Sequence, residues 1–181
     1  MKILINFFLY FLLILNSPAD ERENELNKLF YELKTDNFSS AYKVEQKIWD
    51  IWITHPTNKN LTYLLSRGTT YMNNELYVDA EIIFSAVIKK DPNWAEAWNK
   101  RATLFYLIGK YEDSQNDIDE VLKIEKRHFG ALSGQALVQI KLKNYEKALK
   151  SYKEVEMIYP SMRSLKIMIP KIKELITNTT I

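Results

Sequence analysis

Apolar positions along most of this chain recur at helical spacing. Leu26, Leu29, Phe30 and Leu33 stand at i, i+3, i+4 and i+7, and Ala41, Val44, Ile48, Ile51 and Trp52 form a second stripe. Both are the signature of an amphipathic helix rather than the alternation of a strand. Further on, the punctuation divides the pattern: Asp91-Pro92 ends one segment, Asn93 caps the next, and Ile108-Gly109-Lys110 is a turn whose glycine suits a left-handed helix end. The spacing predicts helices over 61–73, 77–90, 94–108, 111–124, 128–142 and 145–158. A helical segment over 20–56 precedes them, and a last helix over 162–176 follows, with Leu165, Ile169, Ile172 and Leu175 or Ile176 on its apolar side. Pro170 should kink or restart that helix, because proline removes a backbone donor.

The predicted helices are copies of one unit. A shift of 34 residues superposes Leu64, Trp98 and Leu132, then Gly68, Ala102 and Ala136, then Tyr77, Tyr111 and Tyr145. It continues through Ala80, Ser114 and Ala148, through Phe84, Ile118 and Tyr152, through Val87, Val121 and Val155, and ends at Pro92, Lys126 and Pro160. A small residue on the first helix facing a small residue on the second allows two helices to approach closely. Trp98, Phe105 and Tyr111 then fill the volume around that crossing, so this aromatic spacing reads as architecture rather than a binding box.

This period and these slots resemble the tetratricopeptide repeat family, whose unit carries Trp, Leu-Gly, Tyr, Ala, Phe and Pro at such separations. The resemblance covers 61–160 in three units, 61–94, 95–128 and 129–162, and implies an all-α, right-handed solenoid of antiparallel helix pairs. It departs from the family at Arg67, Arg101 and Gln135, which stand at a leucine position, and at Gln139, which replaces a tyrosine. Segment 20–56 reads as a diverged extra pair and 163–181 as a C-terminal cap, since end repeats must cover the apolar faces that inner repeats bury on one another.

The N-terminus differs in kind. One lysine, an apolar run from Ile3 to Leu15 and then Ser17-Pro18-Ala19 match a secretory signal peptide over 1–19, cleaved after Ala19. An apolar run of this length spans about 20 Å as a helix, short of a hydrocarbon core of about 30 Å. The expected location is the periplasm of a Gram-negative bacterium, the alternative being an uncleaved membrane anchor. Formal net charge is +2 with acidic and basic residues interleaved, which is not the footprint of a nucleic-acid binder. The chain has no cysteine, so disulfides and thiol chemistry are absent.

No catalytic constellation, cofactor motif or metal signature is legible, and the chain is expected not to be an enzyme. His128 reads as a surface or capping residue. Glu112, Asp113, Asp117, Asp119 and Glu120 read as a solvated acidic face. Binding remains. By similarity to the family, the first helix of each unit lines a concave groove. Its candidates are Thr62, Leu65, Thr69 and Met72; then Glu96, Asn99, Thr103 and Tyr106; then Ser133, Leu137, Ile140 and Lys141. With only Asn99 and Lys141 suited to clamping an acidic peptide end, the expected partner is a protein segment presenting apolar side chains. The alternatives are an oligomeric or membrane-tethered structural role, with a second copy or the chain's own C-terminal helix covering the groove.

Overall fold

The computed structural model describes residues 18–179, and every regular element among them is an α-helix. In chain order these are α1 (Pro18–Leu33), α2 (Phe38–Ile53), α3 (Lys59–Asn73), α4 (Tyr77–Lys90), α5 (Ala95–Leu107), α6 (Tyr111–Ile124), α7 (Phe129–Lys141), α8 (Tyr145–Ile158) and α9 (Leu165–Thr179). Apart from its last two residues, the expected leader lies outside the described residues. No described helix is long and apolar enough to cross a membrane.

Helices α3 to α8 form three antiparallel pairs, and the same local chemistry closes each. The turn inside a unit places Glu75, Gly109 and Lys143 in the left-handed region, at φ 61°, 80° and 60°. The next residue's N–H reaches back to Tyr71, Phe105 or Gln139, and the left-handed residue's own N–H to Met72, Tyr106 or Ile140. That pair of bonds is the Schellman arrangement, which satisfies carbonyls a helix end would otherwise leave bare. Between units the caps Asp91, Glu125 and Tyr159 each donate to a valine carbonyl, of Val87, Val121 and Val155.

Close approach within a unit is visible at the small residues. Ser114 Oγ donates to the Ala102 carbonyl at 2.7 Å, a contact between α5 and α6 that a larger Ala102 would prevent. A Cβ on Gly68 would lie 2.6 Å from the Phe84 ring, so α3 meets α4 through that ring. Ala80, Ala136 and Ala148 are fully buried. Trp98 and Tyr111 are half-buried, and Trp98 bridges the cores of the first and second units. Pro92 is exposed and Pro160 half-buried in the inter-unit connections.

Segment 20–56 does form a helix pair, but it is not stacked on α3 as a preceding unit. Ala97 and Ala131, which pack on the unit before them, are 0% and 1% exposed, whereas Tyr63 at the same position of α3 is 65% exposed. Instead α1 and α2 share one hydrophobic core with α7, α8 and α9. Phe30 meets Trp52, and the Trp52 ring meets Phe129 with centroids 5.0 Å apart. The reason lies in the side chains: α2 carries two tryptophans one turn apart, and both find aromatic and small-residue partners at the start of α7. Helix α9 covers the C-terminal end through buried Leu165, Ile169 and Ile172, and continues through the exposed Pro170.

Candidate functional site

The first helices of the three units, α3, α5 and α7, present the expected inner surface, and it is interrupted. Thr62, Glu96 and Gly130 are equivalent positions in the first turns of these helices. At the third, the missing side chain lets the Trp49 ring in: a Cβ on Gly130 would lie 2.6 Å from it. Trp52 stacks on His128 with centroids 3.9 Å apart and planes 8° apart, and its carbonyl accepts from the Trp94 indole. Lys100 Nζ lies over the Trp49 ring. Thus α2 covers one edge of the groove, along the first turns of α5 and α7.

Under that cover Glu96 is the hub. Its Oε2 accepts from the Asn99 amide at 3.0 Å and faces His128 Nε2 at 3.1 Å, while Lys100 Nζ stands 3.0 Å from Oε1, at ion-pair distance but off the hydrogen-bonding direction. Burial pushes the carboxyl up, yet the His128 hydrogen bond and the Lys100 charge outweigh it and hold Glu96 below the ordinary carboxylate value. His128 is not a surface residue: it is fully buried, and it does cap α7, with Nδ1 accepting from the Ala131 N–H.

Two clefts remain open. The first, about 220 Å³, lies between α5 and α7, lined by Asn99, Thr103, Tyr106, Ser133 and Leu137 and floored by Ala102, Ser114 and Ile118. It reaches α6 because α7 carries glycine at both 130 and 134, where α5 carries Glu96 and Lys100. The second, about 350 Å³, lies where α2, α3 and α5 meet, lined by Ile53, Thr62, Leu65, Thr69 and Lys100. Of the remaining groove candidates, Met72 is buried in the first unit's core, Ile140 is half-buried against the C-terminal core, and Lys141 is exposed. Asn99 lines the first cleft, but its amide donor is committed to Glu96.

On the opposite side, the acidic face is only partly solvated. Glu112, Asp113 and Asp119 are exposed, whereas Asp117 is 4% exposed and takes a two-bond contact from Arg101, at 2.7 and 2.8 Å. Burial pushes the Asp117 carboxyl up against the opposing pull of Arg101, and the carboxylate in turn raises the Arg101 guanidinium. Gln135 and Ser151 repeat this pairing in the third unit. In the second and third units the polar residue at the leucine position therefore faces a polar partner on the second helix, whereas Arg67 in the first unit lies against Tyr71 of its own helix, opposite Ile83. Among the described residues no group of three or more His, Asp or Glu could hold a metal ion.

The backbone arrangement matches solved structures closely enough to decide the fold. Superposition on the first TPR of Spaghetti (RPAP3), bound to the HSP90 peptide SRMEEVD, gives a TM-score of 0.64 at 18% identity, covering 66% of this chain and 94% of that one. The fold is a tetratricopeptide repeat solenoid. The Sgt2 TPR domain from Aspergillus fumigatus also gives 0.64, at 17% identity over 68% of this chain and 83% of that one. In sequence, a TPR repeat-containing protein of Rhizobium etli is 47% identical over 73 residues, 40% of this chain and 36% of its own length. The match thus spans little more than a third of that relative. No protein-family model matches the chain. In this solenoid the groove is partly covered by α2. Its placement was foreshadowed by Gly130, a glycine where the other two units carry Thr62 and Glu96.

Proposed function

We propose that this chain is a protein-interaction module that holds an uncharged, apolar stretch of a partner protein, with the α5–α7 cleft as the anchor point. The observation that carries this reading is the lining of the cleft: Ala102, Ile118 and Leu137 are apolar, the Ser114 hydroxyl in the floor is spent on the Ala102 carbonyl, and Thr103, Ser133 and Tyr106 add hydroxyls. Burying a charge there would go uncompensated, whereas an apolar side chain gains by leaving water and its backbone finds hydrogen-bonding groups in those hydroxyls. The peptide on the Spaghetti domain ends in acidic residues. Here Lys100, which lines the second cleft, already faces Glu96, and neither cleft is lined by Lys141 or by an arginine.

The test is peptide selection from an unbiased library, followed by mapping of amide shifts on the labelled chain. The expected peptides are apolar at one or two positions, perturb Thr103, Ser133 and Leu137, and lose binding when Gly134→Leu fills the cleft. Selection of peptides with acidic C-termini, or binding that Gly134→Leu leaves unchanged, contradicts the reading.

The apolar leader supports placing the module outside the cytoplasm as an exported adaptor. N-terminal sequencing of the protein from its native cell tests this. A mature end at Asp20 is expected, and an intact Met1 with membrane fractionation would make it an anchored protein instead.

A further inference from the structure

Both histidines of the chain and three of its four tryptophans converge where α2 meets the repeats. His128 stacks on Trp52, the Trp52 carbonyl accepts from the Trp94 indole, and Trp94 packs edge-on against His55, centroids 5.0 Å apart. The two imidazoles are wired alike. His55 Nδ1 accepts backbone N–H bonds from Thr57 and Asn58 while Nε2 meets Asp91 Oδ2 at 2.8 Å. His128 Nδ1 accepts from Ala131 while Nε2 meets Glu96. In both rings Nδ1 must be bare, so both are neutral with the hydrogen on Nε2.

We propose that this pair forms an acid-labile seam: protonation of the two Nδ1 atoms frees α2 from the first turns of α5 and α7 and opens the covered edge of the groove. A proton on Nδ1 sets N–H against N–H. At His128 this removes the cap of α7, and at His55 it removes the turn leading into α3. The ring can relieve the conflict only by turning, which breaks the Trp52 stack and the contact with Trp94. The Asp91 and Glu96 carboxylates face Nε2 of the two rings, and the Trp52 ring lies flat against His128. Neither supplies an acceptor for Nδ1–H, and Glu96 already faces Lys100 and Asn99.

The other charged groups around the seam are engaged away from the two imidazoles. On α1, Glu23 takes Arg127 of the α6–α7 connection, which also binds Glu125, and Arg22 donates to the Ile51 and Thr54 carbonyls. On α2, Glu45 accepts from Trp49 and Tyr159. The seam does not depend on what the groove binds.

Hydrogen exchange of the full chain tests it, with amides in the N-terminal half of α4, the end away from Asp91 and His55, as internal reference. Between about pH 7.5 and about pH 5.5, protection of α2 relative to that reference is expected to fall about tenfold or more. The double variant His55→Asn, His128→Asn keeps an oxygen to accept the same N–H groups but cannot take the proton, and should abolish the fall. An unchanged ratio in the parent chain overturns the proposal, as does an equal fall in the double variant. Should that variant not fold, imidazole resonances of the parent chain decide instead. Nδ1 protonation must coincide with loss of α2 protection, and protonation without that loss is equally fatal.

Discussion

Glu96 stays ionised in a fully buried position because three neighbours, His128, Lys100 and Asn99, converge on one carboxylate. Its folded-state pKa lies below the ordinary 4.5. The stabilisation it provides is therefore complete above that value and is lost as the pH falls through the folded pKa. Glu96→Gln should cost about 1–3 kcal/mol at neutral pH and flatten the acid limb of a stability-versus-pH curve below that point, as read by denaturant titration. The Arg101–Asp117 pair makes a second test at this scale. Asp117→Ala leaves a half-buried guanidinium and should cost about 1–3 kcal/mol. Restoring apolar contact with Arg101→Leu and Asp117→Ile together should return most of that, since Ile83 already occupies the equivalent of Asp117 in the first unit. Ala102→Leu should destabilise by about 1–3 kcal/mol, because the Ser114 contact leaves no room. A parental melting temperature for that variant would contradict the crossing described above.

At the scale of the element, the turns and the N-terminal pair behave differently. Glu75 and Lys143 hold the left-handed conformation that Gly109 adopts at no steric cost. Lys143→Gly should therefore stabilise by up to about 1 kcal/mol, while the same change mid-helix at Lys150 should destabilise. Trp52→Ala should cost about 3–5 kcal/mol and raise exchange in α1 and α2 well before α3 and α4. The six repeat helices were legible in the sequence because each boundary rests on local chemistry repeated at a fixed period. Where α1 and α2 dock was not. Their apolar stripes show that each buries a face, but the partner is chosen by contacts far along the chain, such as Trp49 on Gly130 and Glu45 on Tyr159. For the same reason His128 and Asp117, polar in isolation, proved buried: each is satisfied by a residue that periodicity alone does not pair with it.

For the whole molecule, the solenoid supplies an inner surface and α2 then removes part of it, leaving an apolar cleft between α5 and α7 and a hydroxyl-lined one beside α3. The first of these is the proposed seat for a segment of another protein. The most direct measurement places a photo-reactive side chain at Tyr106, which lines that cleft, and a control at the exposed Glu112 on α6, in the native cell. Captured peptides are then mapped to the residue. One protein is expected to be captured at Tyr106 alone, through an uncharged stretch with apolar side chains, and lost with Gly134→Leu. Capture at both positions alike, or capture only of this chain itself, would contradict it.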